Sequence, residues 1–250
     1  MRLPSISIVV PAFNEQERLP ATLRAIVEYL DGCQQVQYEV LVVDDGSADG
    51  TARVVEEFAR SRPEVRLLAN GRNRGKGYSV RHGMLKATGE WVLFTDSDLS
   101  APIEEARKLF EAARREGALI AIGSRALDRS LISVHQSWFR ETAGRIFNLI
   151  MRALTGLPFH DTQCGFKLFE ARAARDVFGR QRIERWGFDA EVLFIARKLG
   201  YKTVEVPVRW SHAEGTKVRM LRDSLNMFID LWRVRWNHLR GLYREPEPFQ

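Results

Sequence analysis

Asp96 and Asp98 stand two residues apart, directly after the apolar run Trp91-Val92-Leu93-Phe94-Thr95. In an extended segment, residues two apart project to the same side. The two carboxylates can therefore share one cation, and oxygen donors of this kind suit Mg²⁺ or Mn²⁺. A metal held there can bridge a diphosphate and neutralise charge on a departing nucleoside diphosphate. For an isolated Asp-x-Asp the competing reading is a solvated turn, since Asp and Ser favour turns.

Two more acidic segments tip the balance toward the metal. Ile6-Ser7-Ile8-Val9-Val10 runs into Pro11-Ala12-Phe13-Asn14-Glu15, and Val40-Leu41-Val42-Val43 runs into Asp44-Asp45-Gly46-Ser47. In an open parallel sheet, ligands bind beyond the carboxyl ends of the strands, so three acidic strand ends would converge on one crevice. Asn73-Arg74-Gly75-Lys76-Gly77 can bring backbone N–H groups and a cation to phosphate, or it can be a plain loop before a helix. It is not a P-loop, which needs Gly at position 70 and Ser or Thr at position 77. No G-x-G-x-x-G follows the first strand, which argues against a dinucleotide-binding dehydrogenase.

These residues need a scaffold, and the rest of the chain predicts one. Short β-branched runs at 6–10, 40–43, 65–68, 91–95 and 119–122 alternate with helical patterns at 19–30, 50–60, 77–88 and 102–115. Ser47 or Asp49 would cap the second helix. Such alternation predicts an α/β fold with a mostly parallel sheet flanked by helices. Helices are then expected at 136–154, 172–178, 188–199 and 220–243. A strand is expected at 203–208, at a sheet edge because of Pro207.

The chain has 250 residues, 45% hydrophobic and 28% charged, which suits one sizeable folded domain. Its formal net charge is +6, compatible with nucleic acid, an anionic membrane surface or phosphorylated ligands. No recognised nucleic-acid motif accompanies the charge. Two cysteines, Cys33 and Cys164, imply neither a disulfide framework nor a zinc cluster, and so point to a reducing, cytoplasmic setting. Neither a signal-peptide pattern nor an apolar run of membrane-spanning length is present.

Val10-Pro11-Ala12-Phe13-Asn14-Glu15, Val43-Asp44-Asp45-Gly46-Ser47, Asn73-Arg74-Gly75-Lys76-Gly77 and Asp96-Ser97-Asp98 together resemble the family-2 glycosyltransferases of GT-A (Rossmann-like) fold, in order and spacing. The resemblance implies a nucleotide-sugar site formed by Pro11, Asn14, Glu15, Asp44, Asp45, Lys76, Asp96, Ser97 and Asp189, with Asp96 and Asp98 as metal ligands. The second half, with Gly123-Ser124-Arg125, residues 161–167, 184–189 and 214–217, resembles the dolichyl-phosphate β-glucosyltransferase branch. Mannose synthases of the same group share the layout but usually carry Ser or Thr and Arg near positions 165 and 167. The implied reaction is an inverting transfer of a hexose, glucose from UDP-glucose before mannose from GDP-mannose, to a polyprenyl or dolichyl phosphate.

A phosphate acceptor is already a nucleophile, so cations to hold it matter more than a general base. Arg125, Arg140, Lys167 and Lys217 are the candidates. Asp161 is expected beside the reacting sugar or the metal. Asp189 and Glu191 are candidates for sugar hydroxyls, with helix capping equally open for Asp189, and Trp186 for stacking on a sugar ring. Residues 1–218 would form the catalytic domain and 219–250 an amphipathic helix and tail. Lys217 to Arg244 carries seven basic side chains against Asp223 and Asp230, interleaved with Leu, Phe and Trp. A helix of that kind can lie in the headgroup region of a membrane, here at its cytoplasmic face, or pack on protein. Trp138, Phe139, Arg145, Phe147, Ile150 and Arg152 suggest a second such surface. A sugar-nucleotide pyrophosphorylase would need a Gly-rich signature where Pro11 to Glu15 stand. The oligomeric state, a homo-oligomer included, is left open.

Overall fold

The computed structural model describes residues 4–33, 37–134, 148–211 and 220–246. The first half alternates as the sequence predicts. It runs β1 (Ile6–Ala12), α1 (Leu19–Gly32), β2 (Tyr38–Asp44), α2 (Thr51–Ser61), β3 (Val65–Ala69), α3 (Lys76–Lys86), β4 (Trp91–Thr95), α4 (Ala106–Glu116) and β5 (Ile120–Ser124). A 3-10 turn, Ile103–Glu105, precedes α4. The Asp49 carboxylate accepts the Thr51 amide at the start of α2 (3.0 Å), so an expected capping group does bond the first turn although Gly50 is the N-cap residue.

After the short strand β6 (Ile132–Val134), residues 148–155 are helical (α5). Then come β7 (Phe166–Glu170), α6 (Ala171–Phe178), α7 (Phe188–Lys198), β8 (Thr203–Pro207), β9 (Trp210–Ser211) and α8 (Met220–Leu239). The main sheet has seven strands in the order β3-β2-β1-β4-β7-β5-β8, and β6 pairs with β9 in a small second sheet. β8 does lie at the edge. The chain winds outward from β1 to β3, then crosses back to place β4 on the other side of β1. That reversal makes the carboxyl ends of β1 and β4 the switch point where such sheets bind ligands.

β7 is the strand of the main sheet that the sequence pattern does not predict. It runs antiparallel to both β4 and β5. Thr95 faces Phe166 across the ladder, so the segment entering β7 arrives beside the carboxyl end of β4. An antiparallel insertion thus carries residues 161–165 to the crevice.

Alternation divides the core between two faces. Ile8, Val10, Val40 and Val42 pack with Leu19, Leu23 and Leu109 from α1 and α4. Val9, Leu41, Val43 and Phe94 pack with Val80, Val177, Phe188 and Val192 from α3, α6 and α7. Burying each such side chain contributes roughly 1.5–3 kcal/mol, which is why continuous apolar strands lie at the centre of the sheet. α8 closes the second face through Leu231 and Val234.

Candidate active site

The loops after β1 and β2 hold one another. The Asn14 amide donates to Ser47 Oγ (2.8 Å), and Asn14 Oδ1 accepts the Ala48 amide (2.8 Å). The Glu15 amide donates to Thr51 Oγ1 (2.8 Å), and the Glu15 carboxylate faces Arg18 at 3.4 Å. Pro11 sits opposite Val43 in the parallel ladder. Asn14 has φ +52° and Leu99, just beyond Asp98, has φ +45°. Among the described residues, the two non-glycine residues in the left-handed region therefore flank this crevice, where backbone strain tends to collect.

Asp45 is buried and accepts three hydrogen bonds: from Asn70 Nδ2 (2.8 Å), the Arg74 amide (2.9 Å) and the Gly75 amide (2.8 Å). It shapes the 73–75 loop from beneath. Asp44, also buried, accepts the Ser47 amide (3.2 Å). The sequence reading treated both as donor-site groups; the structure gives each an internal partner.

At the end of β4, the Ser97 carbonyl accepts a hydrogen bond from Thr22 Oγ1 (2.5 Å). Asp98 Oδ1 accepts the Ser100 amide (2.9 Å). Asp96 Oδ1 lies 2.5 Å from Lys76 Nζ. Gly165 presses on Asp96 from the other side: a Cβ there would fall 2.1 Å from Asp96 Oδ2. Glycine leaves room for that carboxylate in its present position, and any larger residue would make it shift. Gly165 lies in the 161–167 segment, and the antiparallel register gives it this role.

These features fit a divalent cation. Two carboxylates project from the switch point, one of them in a cradle that a methyl group would fill. Among the described residues, no group of three or more His, Cys, Asp or Glu side chains comes together. Asp96 and Asp98 could thus hold only part of an Mg²⁺ or Mn²⁺ shell, the rest coming from substrate oxygens and water.

The remaining predicted residues divide sharply. Asp161 and Arg125 form a bidentate pair, Nε to Oδ2 at 2.6 Å and Nη2 to Oδ1 at 2.9 Å, and the Arg125 amide adds a third bond (3.0 Å). Burial opposes the charge of Asp161, but the Arg125 guanidinium overrides it and holds the carboxyl down at about 2. The Asp161 amide is anchored on Glu205 (2.7 Å). Asp161 and Arg125 are thus one ion pair beside Trp210, whose ring centre is 5.5 Å from the guanidinium, not a separate acid and a separate phosphate ligand.

Lys167 needs correction. It is fully buried, and its ammonium donates to the Cys164 carbonyl (2.6 Å) and to the Asp189 carboxylate. Alternation along β7 turns it inward with Phe169, toward α7, and its ammonium is committed to these two internal partners. Asp189, in the first turn of α7, is equally buried. Burial drives its carboxyl upward while Lys167 and Lys76 pull against it. Glu191 is buried as well. It accepts the Arg182 and Ile183 amides (3.1 and 2.8 Å) and the Tyr243 hydroxyl (2.7 Å), and burial pushes it up to about 7. Trp186 is half-buried with its ring 5.4 Å from Lys76 Nζ. Arg140 and Lys217 lie outside the described residues, as do Trp138, Phe139, Arg145 and Phe147.

Comparison with known proteins identifies the family and the fold. Residues 7–178 match Glycosyl transferase family 2. The dolichyl-phosphate beta-glucosyltransferase of Dictyostelium discoideum is 34% identical, the alignment covering 96% of this chain and 76% of that one. The Drosophila melanogaster enzyme of the same name is 38% identical over 96% of this chain and 77% of its own. Among solved structures, mannosyl-3-phosphoglycerate synthase from Rubrobacter xylanophilus superposes with TM-score 0.66 at 19% identity, covering 99% of this chain and 77% of that one. Glucosyl-3-phosphoglycerate synthase from Mycobacterium tuberculosis, in complex with Mn²⁺, UDP and phosphoglyceric acid, gives TM-score 0.63 at 18% identity, covering 98% and 80%. With its GT-A-like sheet and a family match over most of its length, this chain belongs to the family-2 glycosyltransferases.

Proposed function

We propose that the chain transfers glucose from UDP-glucose to a dolichyl or related polyprenyl phosphate, with inversion at the anomeric carbon. One observation carries the reading: the carboxylates around the Asp96/Asp98 pair have partners already. Asp45 accepts from two amides and Asn70, Asp161 is paired with Arg125, and Asp189 is paired with Lys167. A hydroxyl acceptor would call for a general base, whereas a phosphomonoester arrives ionised. The names of the relatives support the same acceptor and sugar.

In this reading Asp96 and Asp98 hold a divalent cation, Mg²⁺ or Mn²⁺, which supplies charge neutralisation for the leaving nucleoside diphosphate. Asp45 fixes the 73–75 loop, and Asn14, Glu15 and Pro11 border the nucleoside. Arg125 and Asp161 shape the acceptor side as a unit. Arg140 and Lys217 are the proposed cations for the acceptor phosphate. A single in-line displacement turns an α-linked donor into a β-linked lipid product.

The acceptor places the enzyme at a membrane, and α8 suits that setting. Asp230, Leu231 and Val234 face the domain, while Trp232, Trp236 and Leu239 are 57, 61 and 75% exposed along an outward stripe. Exposed Arg233, Arg235 and Arg240 border it. Tryptophan between basic side chains favours the headgroup layer of an anionic membrane. Among the described residues no helix is long and apolar enough to cross a membrane. Cys33 and Cys164 are free thiols, which suits the reducing cytoplasmic face. The division at residue 218 follows the same logic, with a catalytic unit before it and a membrane-facing helix after it.

The test is a panel of UDP- and GDP-sugars assayed with polyprenyl phosphate and Mn²⁺ or Mg²⁺, with the product anomer determined. UDP-glucose should give a β-glucosyl lipid phosphate. An α product, or no transfer to lipid phosphate from any donor, would refute the proposal.

A further inference from the structure

Lys76 is the first residue of α3, and its backbone has little freedom. A Cβ on Gly75 would fall 2.6 Å from the Glu184 carbonyl oxygen, and one on Gly77 2.7 Å from that of Ile183. The Tyr78 amide donates to the Glu184 carbonyl (2.9 Å). Gln181 Nε2 bridges the Gly77 and Ile183 carbonyls (2.9 and 2.8 Å). The helix start is thus clamped against residues 181–185, and the lysine is delivered to Asp96 by a fixed element.

Its ammonium lies 2.5 Å from Asp96 Oδ1, with the lysine side chain only 15% exposed. Gly165 closes the opposite side of the same carboxylate. Asp96 therefore already has a cation on it. A divalent ion taking the same oxygen would meet the ammonium at close range, where two positive charges repel strongly. The two carboxylates alone are also a poor match for an ion that takes six or more oxygens.

We infer that Lys76 is a built-in counter-ion for Asp96, which must be displaced before a metal can bind. The metal then enters together with the nucleoside diphosphate rather than ahead of it. The diphosphate contributes the missing oxygens and offers the displaced ammonium a new anion. The inference rests on reading Asp96 and Asp98 as the metal pair.

The experiment measures Mn²⁺ affinity by electron paramagnetic resonance of the free ion, with and without UDP. It uses the full chain, Lys76→Met and Lys76→Gln, with thermal denaturation to establish that each is folded. The unsubstituted chain should bind Mn²⁺ weakly alone and much more tightly with UDP. Without UDP the folded variants should bind Mn²⁺ roughly tenfold more tightly than the unsubstituted chain, equivalent to ~1.4 kcal/mol. The tightening by UDP should shrink in both. Equal Mn²⁺ affinities without UDP in the unsubstituted chain and a folded variant would overturn the inference, while UDP-dependent Mn²⁺ binding still upheld the metal pair. No Mn²⁺ binding by the unsubstituted chain even with UDP would overturn the metal pair itself, and the inference with it.

Discussion

Gly165→Ala isolates the contact that the antiparallel strand creates. The new Cβ would fall 2.1 Å from Asp96 Oδ2 and 2.5 Å from its Cγ. Nonbonded carbon–oxygen separations are about 3.3 Å or more, so the carboxylate must retreat by about 1 Å. The Asp96 side chain is 33% exposed, and the atoms met are the far end of a side chain rather than backbone. The stability penalty should therefore stay near the low end of overpacking, about 1 kcal/mol, or a fall in Tm of about 2–4 °C for a chain of this size. Activity should suffer far more. Misplacing a catalytic group by about 1 Å can cost about 100-fold, equivalent to ~2.7 kcal/mol of transition-state stabilisation. The assay is UDP release from UDP-glucose in the presence of polyprenyl phosphate, with Mn²⁺ affinity measured at saturating UDP. We expect kcat/KM to drop about 100-fold and Mn²⁺ to bind more weakly, with the fold intact. Unchanged kcat/KM and Mn²⁺ affinity would show that Asp96 is not the carboxylate that matters. A loss that tracked unfolding would show that Gly165 serves packing alone.

Four other perturbations test separate parts of the structure. Lys167→Met leaves the Asp189 carboxylate buried without its partner and should destabilise the fold by about 3–5 kcal/mol in urea unfolding; a raised KM for lipid phosphate at unchanged stability would instead restore Lys167 as a phosphate ligand. Asp161→Asn should remove about 2 kcal/mol near neutral pH. Because the folded carboxyl lies below its unfolded value, that difference should persist above pH ~4 and fade as pH falls toward 2; a difference independent of pH would contradict the ion pair. Glu191, raised to about 7, binds more protons folded than unfolded, so its contribution is full below pH ~4.5 and declines as pH rises through 7, by at most about 3 kcal/mol. Glu191→Gln should flatten that part of the stability profile, and superimposable profiles from pH 5 to 8 would sink the assignment. Replacing Trp232 and Trp236 together by Ser should abolish most flotation with anionic liposomes while leaving Tm within about 2 °C, since both side chains are exposed; undiminished flotation would remove α8 as the membrane contact.

The readable half of this site was the half built from continuous strands. β1, β2 and β4 are buried on both faces, so each appears as an apolar run, and the acids after each run lie at the carboxyl edge by necessity. β7 is buried just as deeply, yet Phe166-Lys167-Leu168-Phe169-Glu170 does not read as a core strand, because a lysine stands in its middle. Missing the strand hid the register, and the register is what sets Gly165 against Asp96. It also hid the direction of Lys167, which alternation sends toward Asp189.

Charge misled for a related reason. Arg125 and Asp161 are 36 residues apart, and sequence offers no sign that they neutralise each other. Each was therefore assigned its own chemical task. A cation in a sequence becomes a ligand-binding candidate only after the anions brought to it by folding have been discounted. Applied here, that rule withdraws Arg125 and Lys167 from independent phosphate binding and leaves Lys76 in a different position. Its anion, Asp96, is one that the chemistry requires for another cation. The Arg125–Asp161 and Lys167–Asp189 pairs can stay closed, but an ion pair on a metal ligand has to open each time the metal binds, which makes Lys76 the charge on which the order of binding turns.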